Sequence, residues 1–368
     1  MKKDMNILPR AFTFTELCAV TVILAILCGL LLPALQASRE ESRQTLCTDN
    51  QHQLMTATQK YYETQKEFPY YTGTHRVISS KGYNSSIMGY SVQAAVLPYL
   101  GEAALFETFA EQYREPQTKL WMWLGFIEAA SREAAATDIA VFRCPADGDA
   151  VKSSSLLTTK NGKCGKGMDS PVASGNYVVC NGSGLEYNYD HTVITDGVVS
   201  KKAARTLDMF KDGTANTLFF SEAIIGDTSR YENTPPESKT PWKRTATIKT
   251  ENVPYRGLEN WLADVPGVDG LRAANDFDLP NFITVNVDNW YGVRCFSWMI
   301  GDSYATGFTT FSVPNPPYSD WCDEMGIGFF AARSFHPGGV NAVNTDGSAR
   351  FVTNSIDRKV WQKLGSMK

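Results

Sequence analysis

An uncharged apolar run from Leu17 to Leu32 constrains this chain more than any other feature; Thr21 is its only hydroxyl, and one carboxylate, Glu16, stands at its front edge. With Pro33 to Leu35 the run reaches the length at which a helix spans a bilayer. Lys2, Lys3 and Arg10 precede it, a positive leader that keeps the N-terminus cytoplasmic and sends the rest outward. The sequence therefore predicts an exported chain with a single pass in the inner membrane and a head in the periplasm or at the cell surface. A secretory signal peptide shares the basic start but needs small residues at its cleavage site, and Leu35-Gln36-Ala37 supplies a poor one. A lipoprotein signal needs a small residue before its cysteine, whereas Leu17 and Leu27 precede Cys18 and Cys28. A plain anchor leaves Glu16 unexplained, because a carboxylate at the membrane boundary is costly to desolvate.

The segment from Arg10 to Leu35 resembles the type IV prepilin signal. In that family a prepilin peptidase cuts before a Phe, the new amine is methylated, and a Glu at the fifth mature position is retained. Carried onto this chain, cleavage falls between Ala11 and Phe12, N-methylation on Phe12, and the fifth residue is Glu16; Pro33 is then the twenty-second, where many pilins carry a helix-kinking proline. Ala11 stands where the family usually has Gly. The resemblance implies that Glu16 pairs with the terminal ammonium of a neighbouring subunit as helices assemble.

Beyond Pro33 the pattern stays helical but turns amphipathic, with Leu46, Cys47, Leu54, Ala57 and Tyr61 expected on one face. A helix from Phe12 to about Gln65 would be ~80 Å long. The expected division is a leader (1–11), a long helix (12–66) with its transmembrane half at 12–35, and a head (67–368).

Near the C-terminus, Arg333 to Val352 reads as a β-hairpin. His336-Pro337-Gly338-Gly339 is a turn, Val340 to Asn344 a strand, Thr345 to Ser348 a tight turn and Ala349 to Val352 the return strand. The spacing of His336 and Asp346-Gly347 resembles the H-X9-DG motif of the DUF1559 family, bacterial proteins of unknown function with prepilin-type N-termini. Phe142 to Asp147 is similar to that family's Cys-Pro-Ser-Asp segment, and Asp212 to Thr217 with Glu222 to its Asp-Gly-Thr-Ser-Asn-Thr segment and downstream Glu.

Three readings of His336 follow from the residues: catalytic or metal-binding, structural, and an interaction role in which the hairpin presents it to a partner. As a catalytic base or metal ligand it would be oriented by Asp346, but no Gly-x-Ser-x-Gly and no second paired His accompanies it. As a structural residue its ring would bond a nearby carbonyl or carboxylate and pin the turn, while Asp346-Gly347 serves the hairpin. The second is preferred, and the chain is expected not to be an enzyme. No cofactor is assigned. Asp147, Asp149, Asp196, Asp212, Asn216 and Glu222 offer hard oxygens that could form part of a calcium shell, although none lies in an EF-hand and Asp-Gly is commonly only a turn. The lack of any Cys-x-x-Cys argues against zinc.

Cys18 and Cys28 fall in the apolar run and are read as small apolar residues. Cys47, Cys144, Cys164, Cys180, Cys295 and Cys322 would face an oxidising compartment, which permits three disulfides in fifteen pairings, or buried free thiols. With 43% apolar and 12% aromatic residues the head can bury a sizeable core. The net charge is −4, and removal of the leader, with Lys2, Lys3 and Arg10 against Asp4, takes it to −6. Without a basic patch, nucleic acid is not an expected partner.

Short β-rich runs at Ile139–Arg143, Tyr177–Cys180, Thr217–Phe220, Phe282–Val287 and Val340–Asn344, with helical stretches at Gly101–Tyr113 and Leu120–Ala136, predict an α+β head: a long helix laid on an antiparallel sheet with large loop elaborations. The reading that unites these features is a pilin-like or pseudopilin-like structural subunit of a type II secretion or type IV pilus-like filament. Its bulky head favours a minor or tip position, and its partners would be prepilin peptidase, other pilin subunits and the inner membrane. A rival is a tethered binding protein. Trp242, Trp261, Trp290, Trp298 and Trp321, with Tyr255, Tyr291, Tyr304 and Tyr318, would suit a glycan ligand if exposed, and core packing if buried.

Overall fold

A computed structural model describes residues 13–72, 77–78, 84–85, 89–114, 129–148, 172–185, 188–189, 194–201, 203–226, 230–232, 245–247, 289–292, 294–322 and 328–368. Ala11, Phe12, Asp149, Cys164, Trp242, Tyr255, Trp261 and the run Phe282–Val287 lie outside these residues.

One helix, Phe14–Gln65, forms the N-terminal element and runs on through Pro33. Its start is set by a capping box: the Glu16 amide donates to the Thr13 hydroxyl, and the Glu16 carboxylate accepts from the Thr13 amide at 2.8 Å. Its end is set by Lys66, in the left-handed region at φ +64°, whose amide donates to the Tyr62 carbonyl at 2.7 Å. Among the described residues nothing covers the first half, which is exposed throughout positions 13–39. Every large apolar side chain from Phe14 to Leu35 is exposed, Phe14 to 80%, and this stretch is long and apolar enough to cross a membrane.

The second half is clamped onto the head. The buried positions are Cys47, Gln51, Leu54, Met55, Ala57 and Thr58, a stripe at helical spacing. It differs from the expected face in one respect: Leu46 is 53% exposed, and polar Gln51 and Thr58 take core positions instead. Both side chains find an acceptor where they lie, Thr58 donating to the Leu54 carbonyl and Gln51 to the Asn341 carbonyl, so neither costs a buried unpaired donor there, although Gln51 Oε1 is buried without a partner among the described residues.

The head is α+β. Its central sheet has five strands, β1 (Tyr177–Gly182), β2 (Leu218–Glu222), β3 (Gly307–Thr309), β4 (Gly339–Asn344) and β5 (Ala349–Thr353), in the order β3-β1-β2-β4-β5. The ladder is antiparallel except at the β3–β1 edge, which is parallel. β1, β2 and β4 are buried at every position, as strands covered on both faces must be. Tyr177, Val179 and Val343 belong to the cluster around Cys47, Leu54 and Met55 of the long helix. Val178, Cys180, Val340 and Ala342 pack with Trp361 of the C-terminal helix Arg358–Leu364. That short helix, capped by Asp357, makes the layout three layers where two were expected. A second five-stranded sheet lies in the order Gly328–Phe329, Asp320–Cys322, Thr245–Thr247, Asn289–Tyr291 and Arg230–Glu232.

The C-terminal hairpin is present in the expected register, Val340 opposite Val352 and Val343 opposite Ala349. Gly347, at φ +92°, takes the left-handed position that its tight turn requires. Two local expectations are corrected. Ile139–Arg143 is not a strand: Ala140–Phe142 is a 3-10 turn that drops Phe142 into the core, its ring 5.5 Å from that of Trp298. Gly101–Tyr113 is broken into the helices Ala103–Glu107 and Ala110–Arg114. Of the aromatic set, Trp298, Trp321 and Tyr304 are buried and serve the core, and Tyr318 is half-buried. Within Leu120–Ala136 the described part, Ala129–Ala136, is helical.

Candidate functional site

Where the long helix crosses the central sheet, four elements meet. Cys47, on the helix, is disulfide-bonded to Cys144, their Cα atoms 5.1 Å apart across a sequence separation of 97. Glu222 ends β2, and His336 enters the hairpin at β4. All four side chains are buried, and one donor atom from each lies within 4.8 Å of the others.

The carboxylate of Glu222 is held in place by Asn341, whose amide donates to Oε2 at 2.9 Å and whose side chain donates to Oε1 at 3.0 Å. Oε1 also stands 3.4 Å from His336 Nε2. On the other side of the ring, Nδ1 donates to Glu40 Oε1 at 2.6 Å. Cys144 Sγ completes the cluster, 3.5 Å from His336 Nε2 and 3.8 Å from Glu222 Oε1. A second layer supports the Cys144 segment: Asn176 accepts from the Cys144 amide at 3.0 Å and donates to Asp147 at 2.7 Å, while Asn50 of the long helix donates to the Arg143 carbonyl at 2.9 Å. Burial pulls the His336 imidazole toward the neutral form, but its bonds to Glu222 and Glu40 outweigh this and hold its pKa above the usual histidine value.

Asp346 does not orient His336. It sits at the far end of β4, where Oδ1 accepts from the Ser348 amide at 2.8 Å and the Ser348 hydroxyl at 2.6 Å and closes the turn. The ring is oriented by Glu40 instead. Glu40 lies in the run Arg39-Glu40-Glu41, which reads as a solvated helix face, and no spacing in the sequence links it to His336. Among the described residues the possible calcium donors do not gather into one site either, Asp149 lying outside them. Asp147 accepts from Asn176 and the Ile225 amide, Asp196 from the Ser183 amide, and Asn216 donates to the Asp212 carbonyl. Of the six cysteines beyond the apolar run, Cys47 and Cys144 form the disulfide, Cys180, Cys295 and Cys322 are buried outside any disulfide, and Cys164 lies outside the described residues. Burial pushes Cys180 up to about 12 and Cys295 up to about 11, so both stay protonated and unreactive. Three disulfides are therefore not formed.

The geometry makes His336 a clasp between helix and sheet. His336→Ala should cost about 1–3 kcal/mol of stability, since it strands two carboxylates that now share charged hydrogen bonds. Because folded His336 binds its proton more tightly than an unfolded histidine, its contribution is full below the usual histidine pKa and is lost as pH rises through the higher folded value. Denaturation of the disulfide-bonded, metal-free protein across that range should show the wild-type advantage over His336→Ala shrinking with rising pH.

No curated protein and no solved structure matches the chain. The family model described as "Protein of unknown function (DUF1559)" matches residues 36–359. That span contains Cys144, Glu222 and His336, the residues from three separate sequence stations that the fold gathers around Cys47, and it begins just beyond the apolar run. The chain belongs to the DUF1559 family.

Proposed function

We propose that this protein is a pilin-like or pseudopilin-like structural subunit, tethered in the inner membrane through its first helical half and processed between Ala11 and Phe12. The observation that carries this reading is the division of the single helix Phe14–Gln65: its first half offers a continuous apolar surface without a partner among the described residues, and its second half is clamped to the head by a disulfide, the Glu40–His336 bond and a buried stripe. A helix built this way transmits its position in a membrane or filament rigidly to the head. It also presents lipid or neighbouring helices with the uniformly apolar surface they require. The Glu16 carboxylate, bonded to Thr13, would exchange that cap for the ammonium of a neighbouring subunit on assembly. The role is structural, the only chemistry being that of prepilin peptidase on the chain, and the large head suits a minor or tip position in a type II secretion or type IV pilus-like filament.

The N-terminus of the membrane-fraction protein, measured by mass spectrometry in cells with and without prepilin peptidase, tests this. The expected result is methylated Phe12 in the first and intact Met1 in the second, with Glu16→Ala processed but missing from sheared filaments. A start at Met1 in both strains, or near Ser38, would reduce the helix to an anchor or signal.

A further inference from the structure

We propose that the Cys47–Cys144 pair, once reduced, joins Glu222 Oε1 and His336 Nε2 as the four ligands of a zinc ion. Two sulfurs, an imidazole nitrogen and a carboxylate oxygen match the donor types zinc accepts, and zinc prefers four of them in a tetrahedron. With Zn–S near 2.3 Å and Zn–N or Zn–O near 2.0–2.1 Å, the edges of such a tetrahedron are about 3.5 Å between sulfur and nitrogen or oxygen, and about 3.3 Å between nitrogen and oxygen. The corresponding separations here are 3.5 Å (Cys144 Sγ to His336 Nε2), 3.8 Å (Cys144 Sγ to Glu222 Oε1) and 3.4 Å (His336 Nε2 to Glu222 Oε1). Three of the six edges therefore stand near their liganded lengths, the two from Cys47 Sγ to Nε2 and Oε1 lie within 4.8 Å, and the edge between the sulfurs must open to about 3.8 Å.

The surroundings of the four donors also suit a metal. Glu40 accepts from Nδ1 of His336 at 2.6 Å, the carboxylate–histidine arrangement that fixes the tautomer leaving Nε2 free to ligate. Asn341 holds the Glu222 carboxylate with two hydrogen bonds. All four ligands are buried, which excludes competing water.

The two states exclude one another. A dithiol reductant transfers two electrons and two protons to the disulfide, giving two thiols and its own disulfide; zinc then takes both sulfurs as thiolates and Nε2 as a neutral nitrogen, releasing the two thiol protons and, from a charged His336, the proton on Nε2. In either state the long helix stays tied to the head, by a covalent bond when oxidised and by a shared metal ion when reduced.

The full-length chain in detergent, reduced with a phosphine without oxygen, loaded with zinc and desalted, should retain one equivalent by elemental analysis, and cobalt in its place should give a thiolate charge-transfer band. The oxidised chain should retain none, and Cys47→Ser with Cys144→Ser should abolish binding. Glu40→Gln should weaken binding about 10–100-fold, and Cys295→Ser should leave it unchanged. His336→Ala should also abolish binding; if that variant does not fold, Glu40→Gln still probes the histidine. Zinc retained equally by the oxidised chain, substoichiometric zinc in the reduced chain, a cobalt spectrum without the thiolate band, or binding that survives the double serine variant would each overturn the proposal.

Discussion

Asp320→Ala should destabilise the head by about 3–5 kcal/mol, the range for breaking a buried ion pair by removing one partner. Asp320 Oδ1 accepts from Arg333 Nε at 3.1 Å, Arg333 Nη2 at 2.8 Å and the Ala331 amide at 3.1 Å, while Oδ2 faces Arg294 Nε at 3.3 Å. All three side chains are buried. Each guanidinium also donates to carbonyls, Arg294 to Ser303, Tyr304 and Gly307, and Arg333 to Pro316 and Tyr318. The carboxylate thus neutralises two cations: Arg294, which holds the helical turn Ser303–Thr306 leading into β3, and Arg333, which holds the loop from β3 to the strand Asp320–Cys322 of the second sheet. Without it, two positive charges remain in a site with no other acid among these contacts. Asp320→Asn should cost less, because one oxygen still accepts while only the charge is lost. Urea denaturation of the wild type and both variants would check the order; equal stability of Asp320→Ala and wild type would show that the arginines are hydrated in solution.

The second large effect is expected from the disulfide. Linking residues 97 apart in sequence removes chain entropy from the unfolded state amounting to about 4–5 kcal/mol in the loop-closure model. Cys47→Ser and Cys144→Ser should each lose ~2–5 kcal/mol in metal-free, non-reducing buffer. The distinguishing readout is reduction: a phosphine should bring the wild type down close to the variants and leave the variants unmoved. Limited proteolysis should then cut first along the second half of the long helix, since the disulfide at Cys47 is its only covalent cross-link to the head among the described residues and the remaining polar ties, at Glu40, Asn50, Gln51 and Tyr62, are hydrogen bonds. A wild type insensitive to reduction would mean that the buried stripe alone holds the helix.

The long helix was legible because its signals are local. An uncharged run and a periodic apolar stripe act within a few residues of one another, and no distant contact is needed to read them. The C-terminal hairpin was legible for the same reason: the turn residues His336 to Gly339 and Thr345 to Ser348 carry their geometry in adjacent residues. Where tertiary contacts compete with local preference, the reading slipped. Ile139–Arg143 has the composition of a strand, yet burial of Phe142 against Trp298 and the link from Cys144 to the helix make it a turn. Leu46 fits the periodicity, yet it is exposed while Gln51 is buried against the sheet, where its amide adds a second donor to the Asn341 carbonyl already bonded by the Ser221 hydroxyl.

By itself the sequence determined that this chain carries a membrane-length helix, a C-terminal hairpin and the three motif stations of its family, since each rests on residues close together along the chain. Only the tertiary structure decided that Cys144, Glu222 and His336 converge on Cys47, and that Glu40 rather than Asp346 orients the histidine. The physical reason is separation. His336 and Glu40 lie 296 residues apart and His336 and Cys144 192, and no local propensity encodes a contact made only when a helix is laid across a sheet.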